Sequence, residues 1–220
     1  MTKADRYECL KYLASRVTDE LVVSGLGYQE WLALTEGRAA NCSNGHLGTT
    51  VGTALGIAVC LPHRKVLCLT SDGDLLLELS ALPPVGQVNP ANLVVIVNDN
   101  ESYQTISKGP RGYWPTLTAS STSLEGVAKA CGIAAAVTVR STEEFKTTVD
   151  EALSEDRLMF IVMKTEPGPF NAVRPDIDGI EAKYRFARYI ESTETVSILP
   201  RSVNYRQMAR SDVQGAVPAV

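Results

Sequence analysis

Five near-continuous apolar runs, each bounded by turn residues, constrain this chain more than any other feature. They are Glu20–Ser24, Lys65–Thr70, Asn92–Val97, Ala134–Val139 and Leu158–Met163. Apolar residues follow one another in these runs instead of alternating with polar ones, the pattern of strands covered on both faces. Helical stretches lie between them. Asp5–Val17 sets Cys9, Leu10, Leu13 and Val17 on one stripe. Thr49–Cys60 is small and apolar, and Asp74–Leu82 closely follows the second strand. Ser123–Cys131 and Ser141–Leu153 come later, the second opening on the capping-box pair Ser141 and Glu144. Strand–helix alternation with short links predicts an α/β chain, a mainly parallel sheet held between two helix layers in a three-layer α/β/α arrangement.

Composition supports a globular chain: 45% of the 220 residues are hydrophobic and 21% charged. Lys and Arg number 21 against 25 Asp and Glu. Without a basic excess, nucleic acid is not an expected partner. The N-terminus turns charged at once and has no apolar leader. Residues 43–62 carry no charged side chain, but four glycines, three threonines, Asn44 and His46 interrupt them. This stretch reads as a loop leading into a buried helix, not as a membrane span. The five cysteines are odd in number, widely spaced and without a CxxC pair, so a reducing cytoplasm is the simple expectation. From Glu166 the pattern weakens through Pro167, Pro169 and Pro175, and a helix over Ile180–Ile190 follows. The expected division is a domain over 1–190 and an extension over 191–220.

A parallel sheet binds its ligand at the carboxyl ends of its strands. Two stretches stand there, Thr70-Ser-Asp-Gly-Asp-Leu75 and Asn98-Asp-Asn-Glu-Ser-Tyr103. Asp72 could hold a hard divalent cation that also touches phosphate oxygens, since magnesium takes one or two carboxylates together with phosphates and water. Asn100, beyond the next strand, could add an amide oxygen. The plainer alternative is a helix cap at Asp72 and a polar turn at Asn98–Ser102. The pairing of the two stretches at successive strand ends favours the metal reading.

Together, Ser71-Asp-Gly-Asp74 and Asn98-Asp-Asn100 resemble the cofactor motif of thiamine diphosphate enzymes. Gly45-His-Leu-Gly48 ahead of Ala54-Leu-Gly-Ile-Ala58 is similar to the segment that opens the same diphosphate-binding domain. Arg6-Tyr-Glu-Cys-Leu10 resembles the opening helix of one subgroup, the 2-oxo acid decarboxylases acting on phosphonopyruvate and sulfopyruvate. In that subgroup the domain can be a separate beta subunit. The likeness runs from about Arg6 to Phe186. It implies that Asp72, Asn100 and the Ser102 carbonyl hold magnesium. Gly73 and Asp74 would face the diphosphate through backbone N–H groups, with Leu75 and Tyr103 also against the cofactor. The Gly45 carbonyl would meet the aminopyrimidine, and Leu47 would prop the cofactor in its bent shape. His46 is the candidate catalytic residue, as a proton-transfer group or a neutral hydrogen-bonding one. The reaction implied is loss of carbon dioxide from a small anionic 2-oxo acid, or its use in carboligation, with the cofactor as electron sink.

Three departures stand out. Ser71 replaces a glycine, which is tolerable at negative φ. Asp74 sets a carboxylate beside the diphosphate position, an objection that fades if it points away. Pro83-Pro84 should break a helix early. The glutamate that such enzymes direct at the pyrimidine ring has no candidate segment here, so the resemblance implies a partner subunit that supplies it and a hetero-oligomer. Two other readings are the beta subunit of a 2-oxo acid:ferredoxin oxidoreductase, disfavoured by the absence of CxxC, and a non-catalytic subunit that keeps the fold. Lys108 and Arg111 in a Gly-rich loop could clamp an anionic substrate, with surface charge the simpler reading. Tyr113 and Trp114 fit a pocket or an interface. His63 reads as solvated, and Cys42 as an unreactive thiol.

Overall fold

The computed structural model describes residues 3–43, 45–104, 112–169, 171 and 179–198. Six strands form one sheet: β1 (Leu21–Ser24), β2 (Asn41–Ser43), β3 (Val66–Ser71), β4 (Leu93–Asp99), β5 (Ala136–Val139) and β6 (Met159–Lys164). Their order is β2-β1-β3-β4-β6-β5, and every pairing is parallel. The helices are α1 (Arg6–Arg16), α2 (Gln29–Leu34), α3 (Thr50–Cys60), α4 (Asp72–Leu77), α5 (Leu82–Val88), α6 (Leu124–Ala130), α7 (Thr142–Ser154) and α8 (Gly179–Glu194).

The near-continuous apolar runs are explained by two cores, one on each face of the sheet. Val23, Cys68, Val95, Val97, Phe160 and Val162 join Val51 and Ala54 of α3, Leu124 and Ala128 of α6, and Phe186 and Ile190 of α8. The alternate residues Val22, Leu67, Leu69, Val94, Ile96 and Ile161 join Leu10 and Leu13 of α1, Trp31 of α2, and Phe145 and Val149 of α7. Successive side chains on a strand point to opposite faces, so a strand covered on both must be apolar throughout. All five expected strands are present.

The sequence pattern missed β2 and α2. Three half-buried residues, Asn41-Cys-Ser43, form β2 at the sheet edge, without an apolar run to announce it. Only six residues long, α2 is anchored by the buried Trp31. A second correction concerns α3, expected to be buried. It buries Val51, Ala54 and Ala58 and half-buries Leu55 and Ile57 against the core, while Gly52 and Val59 face outward. Helix α4 begins at Asp72, two residues before its expected start. It ends at Leu77, a 3-10 turn over Leu79–Ala81 follows, and Pro83 stands in the first turn of α5, so the helix breaks early as expected, though already ahead of the proline pair. The Ser141 cap holds: its Oγ accepts the Glu144 N–H at 3.2 Å, while the Glu144 carboxylate reaches the Arg140 N–H rather than that of Ser141. Helix α8 continues through residue 191 to Glu194.

One contact makes a sharp demand on α5. A Cβ on Gly86 would lie 1.9 Å from the Cys131 carbonyl oxygen at the end of α6. Backbone cannot yield as a flexible side chain does, so Gly86→Ala is expected to cost about 3 kcal/mol or more. Urea unfolding would show it, and a midpoint close to wild type would refute the close approach.

Candidate functional site

Strand order reverses between β1 and β3, because the chain leaves β1 for β2 on one side and returns to β3 on the other. A parallel sheet opens a crevice at such a point, beyond its strand ends. A cavity of about 230 Å3 lies there, lined by Leu26 and Gly27 after β1, Leu47 after β2, Ser71 and Gly73 at the end of β3, and Asn98, Asn100 and Tyr103 from β4 onward. Ser71 is paired with Asn98 across β3 and β4, which sets Asp72 and Asn100 side by side as expected.

Asp72 is fully buried. Its Oδ2 accepts the Thr116 hydroxyl at 2.6 Å and the Ser102 N–H at 3.2 Å, and the Thr118 hydroxyl lies 3.3 Å from it. Its Oδ1 accepts no hydrogen bond among the described residues, and the Ser102 hydroxyl is likewise unpartnered. Burial pushes the Asp72 carboxyl up to about 6; the hydroxyl of Thr116 opposes that rise and the charge of Asp99 adds to it. A buried carboxylate oxygen without a donor is costly, and it is what a cation site requires. Asn100 is 4% exposed; its Oδ1 accepts the Ser102 N–H at 3.1 Å and its amide donates to Gln104. A carboxylate, an amide oxygen and a backbone carbonyl are hard oxygen donors suited to magnesium. These residues therefore fit the ion that the sequence resemblance implies.

The objection raised by Asp74 is met by its hydrogen bonds. Oδ1 accepts the Gly48 N–H at 2.6 Å, and Oδ2 accepts the hydroxyls of Thr50 at 2.6 Å and Thr70 at 2.9 Å. The carboxylate is thus committed to the turn before α3. A Cβ on Gly25 would stand 2.5 Å from its Oδ2, which explains the glycine after β1. Glu78 joins in, accepting the Val51 and Gly52 N–H groups, so α4 caps α3. Ser71 keeps φ at −112°, and its hydroxyl accepts the Asp74 N–H at 3.3 Å. Gly73 is a glycine for a steric reason: a Cβ there would meet the Tyr103 ring at 2.9 Å.

Gly45 and His46 are exposed, and the His46 carbonyl accepts the Thr49 hydroxyl. Leu47, 45% exposed, borders the cavity with Leu26 and Leu77. The Leu75 side chain is committed to the core. Lys108 and Arg111 lie outside the described residues. Trp114 is exposed and Tyr113 half-buried, and neither lines the cavity. Burial raises the Cys42 thiol to about 11, in keeping with an unreactive group. His63 is exposed, but its ring lies 2.7 Å from Glu194.

Several residues near the site were not among the expected site residues. Arg6 reaches the cavity from α1, its guanidinium held by the fully buried Glu30 at 2.8 and 3.2 Å. The Thr118 hydroxyl donates to Asp99 at 2.7 Å, and Lys164 pairs with Asp99 at 2.8 Å. Hydroxyls in a Pro-Thr-Leu-Thr stretch have no periodicity to give them away, and only the tertiary fold brings them to Asp72.

Residues 28–163 match the family of the thiamine pyrophosphate enzyme C-terminal TPP binding domain. The chain is 31% identical over 189 residues to the sulfopyruvate decarboxylase subunit beta of Methanocaldococcus jannaschii, covering 84% of this chain and 97% of that one. It is 29% identical over 157 residues to the phosphonopyruvate decarboxylase of Streptomyces viridochromogenes, covering 71% of this chain and 38% of that protein. Among solved structures, the thiamine diphosphate-dependent 4-hydroxybenzoylformate decarboxylase of Rhodococcus jostii RHA1 superposes with a TM-score of 0.60 at 18% identity. That likeness covers 76% of this chain and spans about a third of the other, 34%.

Proposed function

The chain belongs to the thiamine pyrophosphate enzyme C-terminal domain family, and from that premise we propose that it is the beta-type subunit of a two-component lyase. The enzyme depends on thiamine diphosphate and magnesium and decarboxylates a small anionic 2-oxo acid of the sulfopyruvate or phosphonopyruvate kind. The observation that carries this reading is the buried, unpartnered Asp72 Oδ1 beside Asn100 at adjoining strand ends. The relative that this chain matches almost end to end is itself called a beta subunit, which supports a partner chain.

In this reading Asp72, the Asn100 amide oxygen and the Ser102 carbonyl hold magnesium. The Gly73 and Asp74 N–H groups would face the diphosphate. Leu47 would support the cofactor, the Gly45 carbonyl would accept from its aminopyrimidine, and Tyr103, with the backbone at Leu75, would lie at the diphosphate end. When bound, thiamine diphosphate supplies the electron sink for the pair released as carbon dioxide leaves. His46, exposed in the turn before α3, would serve as the proton-transfer group once the partner covers it. The partner contributes the pyrimidine-binding domain and the glutamate that this chain lacks a segment for. We assign cofactor binding to residues 1–190 and regard 191–220 as an extension. Among the described residues no helix is long and apolar enough to cross a membrane, and all five cysteines are free thiols. We place the complex in the cytoplasm.

Native mass spectrometry of the protein purified gently from its own cells tests the reading. The expected result is a heteromer carrying thiamine diphosphate and magnesium that releases carbon dioxide from sulfopyruvate or phosphonopyruvate. A heteromer that binds no cofactor when both are supplied would overturn it.

A further inference from the structure

We propose that Thr116, with Thr118 behind it, is a positioning residue that decides which oxygen of Asp72 faces the metal. The proposal rests on the magnesium site argued above. A carboxylate can present either oxygen, and both together, by turning about its last bond. Magnesium tolerates little of this, because it demands near-octahedral geometry at short distances. In this chain the turn is blocked. The Thr116 hydroxyl at 2.6 Å and the Ser102 N–H at 3.2 Å both donate to Oδ2, the Thr118 hydroxyl stands 3.3 Å from the same oxygen, and Oδ1 is left bare among the described residues.

The backbone explains why Thr116 stands where it does. Ser102 and Pro115 form an antiparallel bridge, the Tyr103 N–H donates to the Trp114 carbonyl at 2.8 Å, and the Thr116 N–H donates to the Glu101 carbonyl at 3.1 Å. Residues 114–116 are therefore laid against the same loop that carries Asn100 and Ser102. Ligands and clamp form one unit. Glu101 turns that loop with a φ of 60°, and Lys3 and Lys164 hold its carboxylate at 2.9 Å each. Behind Thr116, the Thr118 hydroxyl lies 2.8 Å away and reaches Asp99, which Lys164 pins from β6. Both threonines are buried, at 4% and 5% exposure, and neither lines the cavity. They act through Asp72 and touch no ligand themselves.

The test is the magnesium dependence of thiamine diphosphate binding, measured on the intact heteromer by titrating magnesium at fixed cofactor. Hydrogen bonds of this outer kind typically account for 10- to 100-fold in metal affinity. Thr116→Val keeps the side-chain volume and removes the hydroxyl. It is expected to raise the half-saturating magnesium concentration by about 10-fold or more. Cofactor affinity at saturating magnesium should return to near wild type. Thr116→Ser restores the hydroxyl and should titrate within about 3-fold of wild type, on the same scale. If the valine variant fails to assemble, Thr116→Ala takes its place with the same expected rise. A valine or alanine variant with wild-type magnesium dependence would overturn the proposal, and so would equal losses in the serine and valine variants. Asp72→Ala measured alongside separates the two levels. If it too keeps its magnesium dependence, the metal site is wrong; if it alone loses binding, only the role of Thr116 falls.

Discussion

Asp72→Ala is expected to abolish magnesium-dependent thiamine diphosphate binding, by at least about 100-fold, while the fold persists. The fold survives because the donors released by the substitution have other acceptors nearby. The Ser102 N–H also reaches Asn100, Thr116 and Thr118 can bond each other, and Thr118 keeps Asp99. Equilibrium dialysis with labelled cofactor would check the loss, and unchanged affinity would remove Asp72 from the site. The same carboxyl predicts a pH signature. Its folded value of about 6 lies above the ordinary 3.8, so the fold favours the protonated form. That contribution to stability is complete below about pH 4 and is lost as the pH rises through 6. A shift of this size corresponds to on the order of 3 kcal/mol. In urea unfolding of the metal-free protein, wild type should lose this much relative to Asp72→Asn between pH 4 and 7. Parallel pH profiles for the two would show that burial does not strain this carboxylate.

Asp74→Ala is expected to destabilise the protein by about 3–5 kcal/mol, because each buried donor left without an acceptor costs about 1–3 kcal/mol. Three donors lose theirs: the Gly48 N–H and the hydroxyls of Thr50 and Thr70. Thr70 lies on β3, Thr50 opens α3, and Gly48 sits in the turn between β2 and α3, so the carboxylate joins three elements. Asp74→Asn retains one acceptor oxygen and should lose about half as much. Urea midpoints would decide; a loss below about 1 kcal/mol for the alanine variant would mean that the three donors find partners elsewhere.

The sheet was legible because its central strands must be apolar on both faces, and a continuous run such as Asn92–Val97 has few other uses. The edge strand Asn41–Ser43 escaped notice because half-buried polar residues are enough at an edge. Asp72 and Asn100 were legible as a pair because each directly follows a strand and the strands are neighbours. For Asp74 the sequence leaves two outcomes, repulsion of a diphosphate or a side chain that points away. Sequence gives the charge of a residue but not its direction, and here the direction is set by Gly48, Thr50 and Thr70. Thr116 and Thr118 were invisible for a related reason. They come from a segment with no regular element of its own beyond a short turn, and their meaning lies in what the loop after β4 lays them against.

The strand order also bears on how the chain acquires its structure as it leaves the ribosome. After β1, the next three strands each pair with a neighbour already made. By contrast, β5 is synthesised before β6, yet β6 stands between β5 and β4. Until residue 164 has emerged, β5 has no sheet partner and Asp99 has no Lys164 beside it. Translation must therefore run well past the last residue of the pocket before the pocket can become rigid. Long-range strand insertion of this kind is slow compared with local pairing. A nascent chain halted before β6 would carry every side chain of the proposed metal site and still lack the frame that aligns them.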